Sequence, residues 1–171
     1  MDFRTRIMLT WRSVSQLEEG VAERYQYQVR WRVRPGMRLW RRGPWTRHAA
    51  DARTVAWTAG TTSLARVRLR WTADAPPFRD TALQLQLVAA PRSAALLGRL
   101  VRRRAVAFAE VPLARLMQMP RQYRQTCTLG VPLRERSPVV RGSASPYRNS
   151  ELWFSFSNTI QRHENGLAVF F

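Results

Sequence analysis

The stretch YQYQVRWRVR, residues 25–34, alternates strictly between apolar and polar side chains. Successive side chains of a β-strand point to opposite faces, so every second residue lies on the same face. The stretch therefore predicts a half-buried strand whose aromatic and β-branched residues face the core and whose arginines face water. The predicted inward set is Tyr25, Tyr27, Val29, Trp31 and Val33, and the outward set contains Arg30, Arg32 and Arg34.

The same period of two recurs in separate blocks along the chain. In the first block, Phe3, Ile7, Leu9 and Trp11 alternate with Arg4, Arg6, Thr10 and Arg12. Further blocks are 54–57, 66–71, 83–87, 105–113, 126–129 and 152–157, and turn-forming residues occur at 18–20, 34–36, 43–44, 75–77 and 142–146. About eight short strands separated by turns are typical of an all-β sandwich or barrel.

The chain shows no internal repeat and no shift in composition, so we predict one domain over residues 1–160 and a short tail over 161–171. One segment, 94–104, departs from the strand pattern. Its apolar residues fall at helical spacing ahead of three arginines, and they are Leu96, Leu97, Leu100 and Val101 ahead of Arg102, Arg103 and Arg104. This spacing predicts a short basic helix in a loop, which either packs over the open end of the sheets or contacts a membrane through Leu96, Leu97 and Leu100.

The charge balance is the most unusual property of the chain. Twenty-nine basic residues, all of them arginine, stand against eleven acidic ones, which leaves a net charge of +18. Codon bias in a GC-rich genome explains the absence of lysine but not the excess of base over acid. A field of this size attracts phosphate, carboxylate or anionic lipid surfaces, and guanidinium groups bind such anions bidentately. The candidate residues for an acidic partner are Arg30, Arg32, Arg34, Arg66, Arg68, Arg70, Arg99, Arg102, Arg103 and Arg104.

Residues that usually carry catalysis are few in this sequence. His48 and His163 are the only histidines, and neither has a cysteine, a second histidine or a paired carboxylate at metal spacing. No Walker-type glycine loop, nucleophile elbow or dinucleotide fingerprint occurs. Cys127 lies in an apolar strand pattern and is interpreted as a core residue. We therefore predict no enzymatic activity, no metal site, no cofactor and no small-molecule substrate.

The single cysteine leaves no disulfide framework and fits a reducing, intracellular setting, either cytoplasmic or at the cytoskeleton or a membrane surface. No stretch approaches the roughly 18 apolar residues that a membrane-spanning helix needs. The first 17 residues carry Arg4, Arg6 and Arg12 against Asp2, which is similar to a mitochondrial presequence. Their alternation favours a strand.

Several landmarks follow one another in a recognisable order. The strand at 25–33 precedes Val55-Ala56-Trp57, a hairpin with a tryptophan, and then the leucine-alternating strand 83–87. Gly98 precedes the segment 107–116, which reads AFAEVPLARL, and the last strand is 150–156, SELWFSF. This order, over residues 1–160, resembles the C2 domain superfamily, most of all its N-terminal (NT-type) family. The arginine-laden insertion between Gly98 and Ala105 departs from the family pattern.

The resemblance implies an eight-stranded sandwich that docks on membranes or proteins. Many C2 domains bind phospholipid through calcium, which needs about six to eight oxygen ligands. Here the first loop offers Glu18, Glu19 and Glu23, whereas the second, 89–104, contains no acid. That second loop instead carries the basic residues Arg92, Arg99, Arg102 and Arg103, with Arg104 at its edge. Calcium-independent binding is the expectation.

These observations predict a non-catalytic, calcium-independent docking or scaffold module that binds anionic phospholipid or an acidic protein surface. Two alternatives stay open. Arginines interleaved with Trp31, Trp40 and Trp45 are also typical of a structural RNA-contacting subunit of a ribonucleoprotein, although Trp31 falls on the core face and the other two lie in the loop 35–52. A cytoskeleton-associated protein on the acidic surface of microtubules would have a similar composition.

Overall fold

The computed structural model describes residues 2–58, 65–72, 80–93, 103–118, 127–135, 146–164 and 167–170. In chain order, the elements are β1 (Asp2–Ser15), α1 (Val21–Arg24), β2 (Tyr25–Arg34), β3 (Arg41–Trp45), β4 (His48–Asp51), β5 (Thr54–Ala56), β6 (Ala65–Thr72), β7 (Ala82–Pro91), β8 (Arg104–Pro112), α2 (Leu113–Gln118), β9 (Cys127–Pro132), β10 (Arg134–Glu135), β11 (Glu151–Glu164) and β12 (Leu167–Phe170). The strands form two antiparallel sheets, which confirms the predicted all-β sandwich.

The seven-stranded sheet is built around β1. One edge of β1 pairs with β11 from Asp2↔His163 to Ser15↔Glu151, and the other edge pairs with β6 and β5. Strands β9 and β12 pair with β11 on its far side. Strand β11 runs past residue 160, the expected end of the domain, and β12 joins it within the segment 161–171 that was expected to be a tail.

The five-stranded sheet has the order β10-β8-β7-β2-β3. The alternation predicted for residues 25–34 is confirmed, because Tyr27, Val29, Trp31 and Val33 are at most 6% exposed, while Tyr25 is half-buried. The prediction that the alternating arginines of this strand lie in water is wrong for Arg30 and Arg32, which are half-buried. Strand β3 and the loop before it cover part of that face.

Both sheets contribute large side chains to one core. Trp11 from β1 and Phe154 from β11 meet edge to face with ring centroids 5.7 Å apart. From the facing sheet, Tyr27 packs edge to face on Tyr147 with centroids 6.2 Å apart, and their hydroxyl groups share a hydrogen bond of 3.3 Å. Trp11, Tyr27 and Phe154 are the largest fully buried side chains among the described residues, so this aromatic layer is the centre of the core.

Strands β3 and β4 correct the expectation that residues 35–52 form a loop. Gly43 and Pro44, read as a turn, lie inside β3 because side chains bond their carbonyl groups: Gln28 Nε2 donates to Gly43 and Trp57 Nε1 donates to Pro44. β3 is an edge strand, where a proline is tolerated. The following residue pair, 46–47, carries the chain from the five-stranded sheet to the seven-stranded one, and Thr46 Oγ1 accepts a hydrogen bond from the Tyr27 backbone.

The helices also differ from expectation. The predicted helix 94–104 lies outside the described residues over 94–102, and Arg104 opens strand β8 instead of ending a helix. The two observed short helices, α1 and α2, were not predicted. Leu113, expected to end a strand, begins α2, and it is buried together with Leu116 one turn later. No helix in the described ranges is both long and apolar enough to cross a membrane.

Candidate anion-binding face

The face of the five-stranded sheet that points away from the core, here called the outer face, carries the arginines of β2. Strand register places Arg30 between Gln86 of β7 and Arg42 of β3, because directly opposed residues of an antiparallel pair lie on the same face. Arg103 is exposed immediately before β8. Arg30, Arg42 and Arg103 are called the arginine cluster below.

Arg30 is the least satisfied member of the cluster. Its Nε atom is buried and has no hydrogen-bond partner, although the side chain as a whole is half-buried. Burial lowers the pKa of the Arg30 guanidinium below its usual value, and repulsion by Arg42 and then Arg103 lowers this pKa further. A lowered pKa means that the fold disfavours the charge that Arg30 nevertheless carries at neutral pH.

Two local features bring the other members close to Arg30. A β-bulge between Gln28 and Arg30 shifts the register of β3, so that Arg42 rather than its neighbour Gly43 opposes Arg30. The guanidinium carbon of Arg103 lies 5.6 Å from the centre of the Trp45 ring, and Trp45 opposes Gln28 on the same face. The stacked ring holds the Arg103 cation beside the sheet without neutralising it.

Arg32 has a different environment from Arg30, although both were candidates on the same strand. Its Nε donates to Gln84 Oε1 at 2.8 Å, and Gln84 Nε2 donates to Glu110 Oε2 at 3.0 Å. Its Nη1 donates to the Arg38 carbonyl oxygen at 3.4 Å, and its guanidinium lies 4.4 Å from the centre of the Trp40 ring. Arg32 is therefore occupied by neighbours from β7 and from the loop after β2.

The remaining candidates do not gather at one place. Arg34 is exposed at the end of β2. Arg104 opposes Ala89 of β7, and Ala89 in turn opposes the core-facing Tyr27 of β2. Arg104 is therefore on the opposite side of the sheet from Arg30. The β6 candidates belong to the other sheet, where Arg66, Arg68 and Arg70 pair with Met8, Arg6 and Arg4; their side chains lie outside the described set. Arg99, Arg102, Leu96, Leu97 and Leu100 lie outside the described residues.

Sequence reasoning missed Arg42 and Leu39, and it placed Trp45 in a loop rather than on this face. Arg42 and Trp45 were assigned to a loop, and the pairing with β2 places them on the outer face. Leu39, in the loop between β2 and β3, is 80% exposed, far more than any other large apolar residue whose side chain the structure describes. The sequence signal was present as Leu-Trp-Arg-Arg at 39–42, but an apolar residue in a loop does not reveal its exposure.

The end of the sandwich near α1 carries the acidic residues considered for calcium. Glu18, Glu19 and Glu23 are exposed. Arg92, directly after β7, donates from Nε and Nη2 to the Ala22 carbonyl oxygen and from Nη1 to the Arg47 carbonyl oxygen. Of the segment 89–104 that was expected to be the second loop, residues 89–91 belong to β7 and Arg104 to β8, while residues 94–102 lie outside the described residues.

Within the described part of the chain, no three His, Cys, Asp or Glu side chains lie together in a group that could hold a metal ion. His48 is exposed on the edge strand β4. Cys127 opens β9 and His163 lies in β11, but both side chains fall outside the described set.

Comparison with solved structures identifies the fold. The chain is similar to a C2 domain of plant extended synaptotagmin 1, with a TM-score of 0.50 and 6% sequence identity over 90% of this chain and 92% of that one. No family model matches the chain, and no curated protein is significantly similar to it. At this identity the likeness concerns the fold alone, which is a C2-like β-sandwich. Assignment to the NT-type family stays a prediction.

Proposed function

We propose that this protein is a non-catalytic, calcium-independent docking module whose outer face binds anionic membrane surfaces inside the cell. The observation that carries the proposal is the arginine cluster. Arg30 has a buried Nε atom with no acceptor, and Arg42 and Arg103 raise the cost of its charge instead of compensating it. An anion that contacts the exposed Arg42 and Arg103 beside Arg30 would offset the repulsion among the three positive charges.

Membrane phosphates fit the outer face better than RNA does. Non-specific RNA binding relies on aromatic rings on which bases stack. Here Arg32 lies over Trp40 and Arg103 lies over Trp45, so a guanidinium already occupies one face of each ring. A phospholipid headgroup needs only guanidinium donors. An acidic protein surface would use the same donors and is tested as the competing outcome.

Arg92 supports calcium independence. Calcium sites require carboxylate and carbonyl oxygens that converge from neighbouring loops. The Ala22 carbonyl, between Glu19 and Glu23 in sequence, already accepts two hydrogen bonds from Arg92. A fixed positive charge at this end of the sandwich opposes binding of a divalent cation.

Co-sedimentation of the protein with vesicles tests the proposal. We expect binding to phosphatidylserine-containing vesicles at low salt, no binding to pure phosphatidylcholine vesicles, and progressive release as salt is raised, because surface charge attraction is screened within about 10 Å at 0.1 M ionic strength. Adding calcium or a chelator should change neither the affinity nor the melting temperature. Indifference to anionic vesicles combined with tight RNA or acidic-protein binding would refute the membrane assignment.

A single variant separates a binding arginine from a structural one. Because the pKa of Arg30 is lower in the fold than in the unfolded chain, its charge costs stability throughout the neutral range. Arg30→Met keeps the aliphatic stem and removes the unsatisfied donor, so we expect a melting temperature equal to or above that of the wild type. The same variant should bind anionic vesicles severalfold more weakly. Loss of both stability and binding would indicate that Arg30 is only a structural residue.

A further inference from the structure

The loop between β2 and β3, residues 35–40 and here called the hairpin tip, has one feature that the arginine cluster does not explain. Leu39 is 80% exposed. The next most exposed large apolar side chains among the described residues are Phe108 at 40% and Trp153 at 36%. An isolated exposed leucine is common on proteins, so the significance of Leu39 depends on what holds it out and on what surrounds it.

The residues on both sides of Leu39 are fastened to the domain. The Met37 backbone N–H donates to the Val33 carbonyl oxygen at 2.8 Å, and the Met37 side chain packs against the core. On the other side, Trp40 is half-buried beneath the Arg32 guanidinium, which also bonds the Arg38 carbonyl. Leu39 is thus a fixed projection, and little conformational entropy remains to be lost when it binds.

The surroundings of Leu39 are basic. The side chains of Arg34, Arg38, Arg41 and Arg42 are all exposed around the hairpin tip. No acidic residue occurs anywhere between Glu23 and Asp51, a stretch that includes the whole hairpin. An exposed leucine between exposed arginines, with a tryptophan beside it, matches the layering of a bilayer surface, where apolar groups enter the acyl boundary and cations meet phosphates.

We infer that the hairpin tip inserts Leu39 into anionic bilayers, so that the domain docks with the end of β2 toward the membrane and Trp40 at headgroup level. The inference rests on the proposed membrane function and adds its contact point and orientation. Arg42 belongs to the arginine cluster and also lies two residues after Trp40 of the hairpin tip, so headgroup binding on the outer face and insertion at the tip act together. Arg32 is then a positioning residue that holds Trp40 and the Arg38 backbone.

The test compares Leu39→Ser with Phe108→Ser on vesicles of phosphatidylserine and phosphatidylcholine. Phe108 tests the orientation rather than serving as a neutral control, because it is exposed on the outer face itself, opposite Gln86. Removing the insertion of one leucine should weaken binding about tenfold, and this loss should persist at high salt. Phe108→Ser should weaken binding much less than Leu39→Ser, since tip-first docking keeps Phe108 outside the acyl layer.

A second variant and a probe keep the outcome independent of folding. Leu39→Phe should bind more tightly than the wild type, and both Leu39 variants should keep the wild-type melting temperature because the side chain is exposed. A polarity-sensitive dye at Leu39→Cys in a Cys127→Ala background should shift to the blue on vesicles. The dye at Asn149→Cys should not, because Asn149 is exposed in the turn before β11, outside the hairpin tip.

The outcomes are distinguishable. If Phe108→Ser weakens binding and Leu39→Ser does not, the domain lies flat on its outer face; the inference is then wrong and the proposed function stands. If neither variant matters but arginine replacements do, binding is purely electrostatic and the insertion is again refuted. If the wild type ignores anionic vesicles, the proposed function itself fails.

Discussion

Replacing Arg30, Arg42 and Arg103 together with glutamine is expected to weaken binding to phosphatidylserine vesicles about 100-fold at low salt. Each basic residue near an anionic membrane contributes about 1 kcal/mol, and about 1.4 kcal/mol corresponds to a factor of ten in affinity. Glutamine keeps polar character and much of the side-chain length. Because Arg42 and Arg103 are exposed and repel Arg30, the triple variant should keep a melting temperature close to that of the wild type. Vesicle co-sedimentation and thermal melting measure the two quantities.

A matched control replaces three arginines that lie outside the arginine cluster. Arg4, Arg6 and Arg148 are exposed, and the first two lie on the seven-stranded sheet, where β1 aligns them opposite Arg70 and Arg68 of β6. Their replacement by glutamine gives the same net charge as the cluster variant. We expect a loss of less than about fivefold, from the reduced long-range field alone. A larger loss for the control than for the cluster would move the binding surface to the opposite sheet.

Phe154→Ala is expected to destabilise the fold by about 3–5 kcal/mol, which is a large part of the stability of an ordinary domain. Phe154 is fully buried and contacts both Trp11 and Phe156, so its removal leaves a cavity in the aromatic layer. Urea unfolding followed by tryptophan fluorescence would measure the loss. A variant of low stability should also appear as insoluble protein on expression.

The adjacent residue is the control for that prediction. Trp153 lies on the other face of β11, is 36% exposed, covers Gly130 and donates from Nε1 to Ser15 Oγ at 3.1 Å. Trp153→Ala removes a larger side chain, but from a position that water already reaches. We expect a cost of about 1 kcal/mol. Equal costs at the two positions would contradict the assignment of the core face of β11.

The sandwich could be predicted from the sequence because alternation is a local property of each strand. Residues 25–34 show this most clearly, since the inward and outward positions differ in polarity at every step. The prediction failed at 35–52, where Gly43 and Pro44 indicate a turn by composition. Hydrogen bonds from Gln28 and Trp57, which are distant in sequence, hold that segment in an edge strand. Tertiary contacts therefore decided the conformation there.

The arginine cluster depends on register, which a single sequence does not encode visibly. Arg42 opposes Arg30 only because of the bulge beside Gln28, and a shift of one residue would place it on the other face. Arg30 and Arg32 are equivalent in the alternation of β2. Arg32 opposes Gln84, and its Nε donates a hydrogen bond to that residue, whereas Arg30 opposes Gln86 and its Nε has no hydrogen-bond partner. Patterning identified the arginines on the strand, and strand pairing determines which of them is available.

The pairing of β1 with β11 has a consequence for how the chain acquires its structure during translation. The side-chain hydrogen bond from Arg12 to Ser155 joins residues 143 apart in sequence. Strand β1 pairs with the distant β11 along its whole length. While the polypeptide emerges from the ribosome, one edge of β1 has no partner until β11 has been made. Folding of such non-local β topologies takes about milliseconds to seconds. Until β11 has been made and has paired, the arginines alternating along β1 keep its open edge charged, which disfavours aggregation between nascent chains.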